Sequence, residues 1–91
     1  MSKNNFRALE RILKGAANHW RLSILDLLKR VPELSVEDIA TELNIGYQNA
    51  SDHVRKLAIA GLVMKRGDGP FVRHKLTPRG ETILAFCKKI E

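Results

Sequence analysis

The stretch from Leu34 to Leu76, LSVEDIATELNIGYQNASDHVRKLAIAGLVMKRGDGPFVRHKL, changes its hydrophobic period once, and the place of that change decides the fold. Up to Gly61 the apolar residues recur three or four apart. Val36, Ile39, Ala40 and Leu43 mark one helix, and Ala50, Val54 and Leu57 mark the inner face of another. Ser35-Val36-Glu37-Asp38 resembles a capping box, with Asp38 in place of the usual Glu or Gln, and opens the first of these. Asn44-Ile45-Gly46 is a tight break, since Asn and Gly tolerate a turn while Ile45 points inward. A new helix begins near Tyr47, and Gly61 ends it where a left-handed cap is easiest for glycine. From Leu62 onward the pattern is that of strands. Leu62 to Arg66 and Phe71 to Leu76 flank the turn signal Gly67-Asp68-Gly69-Pro70.

Upstream, Phe6, Leu9, Leu13 and Ala16 share a helical face with Ile12 beside them, and Gly15 weakens the end of that helix. Asn18 is placed to cap a second helix, which carries Leu22, Ile24, Leu25, Leu27, Leu28 and Val31. That helix is apolar on most sides and is expected at the centre; Pro32 stops it. Downstream, Thr77-Pro78 starts a last helix with Ile83, Leu84, Phe86, Cys87 and Ile90. The expected fold is mainly α: about five helices and a two-stranded β-hairpin, in a single domain spanning residues 1–91.

Leu, Ile, Val and Phe make up 27 of the 91 residues, enough for a folded chain but only for a modest core. Sixteen Lys and Arg stand against ten Asp and Glu, a net charge of +6, which suits a polyanionic partner. The basic excess lies outside the central segment: residues 1–34 and 61–91 each carry +4, and residues 35–60 carry −2. One cysteine, Cys87, rules out an internal disulfide and a Cys-rich zinc module. No apolar run approaches the ~20 residues a bilayer needs, and Met1 to Asn5 do not begin a signal peptide. The chain reads as a soluble cytoplasmic protein.

Two helices joined by a short turn form a helix-turn-helix, whose second helix fits a major groove ~12 Å wide. The hairpin that follows is a wing, with five positive residues (Lys65, Arg66, Arg73, Lys75 and Arg79) and one negative, Asp68. Gln48, Ser51, Asp52 and Arg55 share the helix face opposite Ala50, Val54 and Leu57. Gln48 is the candidate for base readout, because its amide pairs two-fold with adenine. Tyr47 and Asn49, at the helix start, are placed for phosphates. Lys56 and the wing residues Lys65, Arg66, Arg73 and Lys75 complete the candidate DNA surface.

The residues from Leu34 to Leu76 resemble the winged helix-turn-helix of the ArsR-type transcriptional regulators, with the MarR type as a near neighbour. Arg21, Ile24 and Leu25 match the family's Arg-x-x-Ile-Leu pattern. Ser51, His53, Val54, Leu57 and then Ala60-Gly61-Leu62-Val63 match its recognition-helix pattern, and Leu76 to Gly80 reads LTPRG, as in both groups. The resemblance implies a symmetric dimer built from the first and last helices, and repression by binding a palindromic operator. Phe6, Leu9, Leu13, Ile83, Cys87 and Ile90 are the candidate dimer interface. Metal-sensing members carry a Cys-x-Cys pair where this chain has Ser35 and Glu37, and a second family site uses Asp and His on a last helix that here has no His. No metal site and no cofactor is therefore expected.

No spacing brings His19, Asp26, His53 or His74 into a catalytic set, so an enzyme is not expected. His53 and His74 read as packing or phosphate-contacting residues, Cys87 as helix packing, and Trp20 as core or interface. The rival function is a winged-helix adaptor that binds protein and has lost DNA. Its sequence hint is Asp52, whose charge repels phosphates unless it accepts from a cytosine amine.

Overall fold

Asn18, Ser35 and Thr77, the three polar residues expected to open helices, each do so by accepting backbone N–H bonds. A computed structural model describes residues 5–91; residues 1–4, where no signal peptide is expected, lie outside the described residues. The elements are α1 (Phe6–Ala16), α2 (His19–Arg30), α3 (Val36–Leu43), α4 (Tyr47–Ile59), β1 (Val63–Asp68), β2 (Phe71–Leu76) and α5 (Pro78–Ile90). The Asn18 side chain accepts from Trp20 and Arg21 at 2.9 and 3.2 Å. Ser35 Oγ accepts from the Asp38 N–H at 3.1 Å, while the Asp38 carboxylate accepts from the Ser35 N–H at 3.3 Å. The shorter Asp thus closes the capping box. Asn44 takes the left-handed conformation at the end of α3, with φ 55°, and Gly61 does so after α4, with φ 75°.

Ile24, Leu25, Leu27 and Leu28 of α2 form the middle of the core. Ile39 and Ala40 of α3, Ala50, Val54 and Leu57 of α4, Leu84 of α5, and Leu62, Val63 and Leu76 at the base of the hairpin belong to the same buried cluster. The hairpin differs from expectation in its first strand, which begins at Val63 and continues to Asp68. The register runs from Val63 opposite Leu76 to Asp68 opposite Phe71, so only Gly69-Pro70 connect the strands. A two-residue connection matches the twist of paired strands better than the longer loop read from the sequence.

Two glycines serve close approach. Gly15 lies within α1 rather than weakening it, and a Cβ there would stand 2.5 Å from the Ala60 Cβ, so its absence lets α1 lie directly on α4. A Cβ on Gly80 would strike the Leu62 carbonyl. This second contact belongs to a tight junction in which the Thr77 hydroxyl donates to the Gly61 carbonyl at 2.6 Å, the Thr77 N–H donates to the Leu62 carbonyl at 3.1 Å, and Arg79 donates to the Ala60 carbonyl at 3.1 Å. The LTPRG segment is thereby fastened to the end of α4.

His74 is the one buried polar side chain among the described residues, at 1% exposure. Its backbone N–H and its ring Nδ1–H both donate to the Leu34 carbonyl, at 2.9 and 2.8 Å. The Glu33 N–H donates back to the His74 carbonyl at 2.9 Å, so the turn after α2 pairs with the outer edge of β2. Burial holds the His74 ring below the usual imidazole value, partly opposed by the bond to Leu34.

Gly80→Ala forces backbone against backbone and is expected to lower stability by about 1–3 kcal/mol in urea unfolding. Loss of the α2 cap in Asn18→Ala is expected to cost about 1 kcal/mol. His53 is also held below the usual imidazole value, by burial and then by the Arg21 charge. Both rings therefore take up a proton less readily in the folded chain than in the unfolded chain, whose ordinary value is 6.5. The stability they contribute is complete above that pH and is lost as pH falls through the folded values. The urea midpoint should drop between about pH 7.5 and pH 5 but hold between about pH 7.5 and pH 8.5.

Candidate nucleic-acid interface

The first turn of α4 is open. Its N-cap is Gly46, which has no side chain to satisfy the leading N–H groups. Tyr47, Gln48, Asn49, Asp52 and Arg55 are exposed and Ser51 is half-buried, while Ala50, Val54 and Leu57 hold the opposite face in the core. A polar, donor-rich helix start is thus presented on a helix that cannot roll. Asp52 does not stand alone: its carboxylate lies 3.6 Å from the Arg55 guanidinium.

The wing stands beside this face. Lys65, Arg66 and Lys75 are exposed and Arg73 is half-buried. The two arginines are already engaged. Arg66 donates to the Glu33 carboxylate at 2.9 Å. Arg73 donates to the Asp68 carboxylate at 2.7 Å and to the Glu33 carbonyl at 3.2 Å. The hydrogen bond to Arg73, and then its charge, hold the Asp68 carboxyl below the usual carboxylate range, and Asp68 in turn raises Arg73. Lys65 and Lys75 meet no carboxylate among the described residues.

Lys56 sits apart from the other candidates. It is exposed on the side of α4 that faces α1, where it lines a cleft with Arg11 and Arg21. His53 is half-buried beneath Arg21, whose guanidinium approaches its Nδ1 at 3.4 Å. The same guanidinium donates to the Gly15 and Lys14 carbonyls at 2.6 and 3.2 Å, pinning the end of α1 to α2 and α4. Trp20 is half-buried, its ring 4.8 Å from that of His19. Among the described residues, no three of His, Cys, Asp and Glu converge. No helix among them is long and apolar enough to cross a membrane.

Two residues of this region were not anticipated from the sequence. Glu33 anchors both wing arginines from the turn after α2, 33 residues from Arg66. Phe86 of α5 is more exposed than Ile83 or Cys87, which are half-buried. Neither carries a local signal: the first depends on a long-range approach, and the second on which side of α5 is covered.

Comparison with known proteins agrees with this geometry. Residues 17–66 match the family described as "Helix-turn-helix domain". The arsenical resistance operon repressor of Escherichia coli strain K12 is 34% identical over 79 residues, which cover 87% of this chain; the chain spans 65% of that repressor's length. Among solved structures, the homodimeric winged helix-turn-helix DNA-binding domain Mb0332 of Mycobacterium bovis, a possible ArsR-family transcriptional regulator, superposes with a TM-score of 0.86. It is 29% identical, and the match covers 99% of this chain and 86% of that one. HlyU from Vibrio cholerae gives a TM-score of 0.82 at 28% identity, covering 99% and 97% of the two chains. The chain belongs to the helix-turn-helix domain family, and its winged form is similar to that of ArsR-type transcriptional regulators.

Proposed function

We propose that the chain is a dimeric repressor that reads a palindromic operator with α4 and grips the flanking backbone with its wing. The observation that carries this reading is the open, polar start of α4 held beside a basic hairpin by a fully buried opposite face. Gln48 reaches base edges from the first turn, and Tyr47 and Asn49 meet phosphates. Lys65 and Lys75 are the wing's available phosphate contacts, and Arg66 and Arg73 hold the wing in position. The Arg55 charge beside Asp52 offsets the repulsion that favoured the adaptor reading. Ser35 and Glu37 stand where the family's thiolate pair would be, so soft metals do not release this protein from DNA.

The dimer reading rests on an apolar face left without a partner in the monomer. Phe6 and Leu13 of α1 are 51% and 53% exposed, and Phe86 and Ile90 of α5 are 54% and 66% exposed. Leu9, Ile83 and Cys87 are half-buried beside them. The homodimeric state of the Mb0332 domain supports a two-fold pairing. Such a dimer places two recognition helices about one turn of DNA apart.

Operator and random-duplex affinities across a salt series test the DNA reading. Gln48→Ala is expected to cost about 1–3 kcal/mol on the operator and little on random DNA. Lys75→Ala should weaken both DNAs alike and lower the salt slope by about one unit. Arg73→Ala should weaken binding with a smaller change in slope, because its charge is already paired with Asp68. Added zinc should leave the complex intact. Salt-independent, unchanged binding in all three variants would return the reading to a protein-interaction adaptor. Sedimentation should give about twice 10.3 kDa. Phe86→Glu combined with Ile90→Glu should give a folded monomer, and a wild-type chain that is monomeric at micromolar concentration would sink the two-fold model.

A further inference from the structure

A cleft of about 570 Å³ opens between α1 and the C-terminal end of α4. Its apolar wall is made by Ala8 and Ile12 of α1 with Ile59 and Ala60 of α4. Around that wall stand five cationic side chains: Arg11 and Lys14 of α1, Arg21 of α2, Lys56 of α4 and Arg79 of α5. Among the described residues no acidic side chain lines the cleft. Among the described residues only Lys14 of these five meets a carboxylate, that of Glu10 at 3.4 Å. Two of the guanidiniums are fixed in place by backbone carbonyls, Arg21 by Gly15 and Lys14 and Arg79 by Ala60.

Neither the core nor the surfaces described so far account for this arrangement. Ile59 is 75% exposed, the most exposed large hydrophobic side chain among the described residues. It lies about 18 Å along α4 from Tyr47, at the end away from the recognition residues. The dimer face does not cover the cleft either. At 3.6 residues per turn, Ala8, Arg11 and Gly15 fall on the side of α1 opposite Phe6 and Leu13. Convergent like charges around an exposed apolar wall are complementary to one kind of small molecule, with an anionic head and an apolar body.

We propose that this cleft is a ligand site for a small amphiphilic anion, a monocarboxylate whose head is held by Arg11 and Lys56 and whose hydrocarbon body lies on Ile12 and Ile59. The site is independent of the DNA reading, since its occupancy is measured on the free protein.

The test is a titration of the full chain with decanoate below its micelle concentration, followed by backbone amide chemical shifts. Decanol and inorganic phosphate serve as arms that carry only one of the two features. Decanoate should saturate one site per chain with the largest shifts at Gly15, Ile59 and Ala60, and each single-feature arm should bind at least tenfold more weakly. Lys56→Gln and Arg11→Gln lie on the surface and leave the fold intact. Each should weaken decanoate about tenfold, as expected for a lost charged hydrogen bond, while Lys89→Gln should not. Shifts centred on Phe6, Leu13, Phe86 and Ile90 would instead mean adsorption to the apolar dimer face and would overturn the proposal. Phosphate binding as tightly as decanoate, or unchanged decanoate affinity in both variants, would overturn it equally.

Discussion

Ile24, Leu25, Leu27 and Leu28 are each at most 2% exposed on a helix of only 12 residues. A helix enclosed on nearly all sides determines where the other elements lie. α3, α4, α5 and the base of the hairpin each contribute aliphatic side chains to the same cluster, and each such burial is worth about 1.5–3 kcal/mol. No single element then leaves without a loss comparable to much of the stability expected for a chain this short. The same constraint explains the apolar surface that remains. α1 buries only Ala16, and α5 buries Leu84 and Gly80. Among the described residues no element lies over Phe6, Leu13, Phe86 and Ile90.

The wing has a different source of order. Glu33 holds a left-handed backbone conformation, φ 72°, which costs a residue with a Cβ about 1–2 kcal/mol. Its three polar groups all have partners: its N–H meets the His74 carbonyl, its carbonyl meets Arg73, and its carboxylate meets Arg66. The surface ion pair among these contributes little on its own. The backbone pairing, closed by the buried His74 ring, fixes the hairpin against the turn after α2 and so at a set distance from α4. That rigidity suits the proposed surface, in which α4 and the wing meet DNA together. It also divides labour on the wing, because a guanidinium already bonded to a carboxylate must give up that bond to meet a phosphate, and a lysine with no partner need not.

What was legible in the sequence was local. Asn18, Ser35 with Asp38, and Thr77 announce their helices because a cap is read within four residues, and the inner faces of α3 and α4 follow from spacing alone. The resemblance to ArsR-type regulators added the dimer and operator expectations. What was not legible depends on elements distant in sequence meeting in space. Gly15 looked like a helix weakness until Ala60 lay against it. Glu33 carries no local mark in the sequence, and the bonds that engage Arg66 and Arg73 arise only where the turn after α2 pairs with β2. Lys56 was grouped with the recognition residues in the sequence, and its place beside Arg11 and Arg21 in a cleft against α1 appears only once α1 lies on α4.

The two ends of α4 therefore face different chemistry. Gln48 and its neighbours stand at the N-terminal end, where donors and the helix dipole favour phosphates and base acceptors. Lys56, Ile59 and Ala60 stand at the other end, against a cluster of cations of which, among the described residues, only Lys14 meets a carboxylate. Between them the helix is 13 residues long and held on its inner face by Ala50, Val54 and Leu57, which are almost fully buried. Arg21 links α1 to α4, since one guanidinium holds the end of α1 and also reaches His53 on α4. The cleft and the first turn of α4 thus lie at opposite ends of one helix and differ in chemistry, the one cationic around an apolar wall, the other polar and rich in donors.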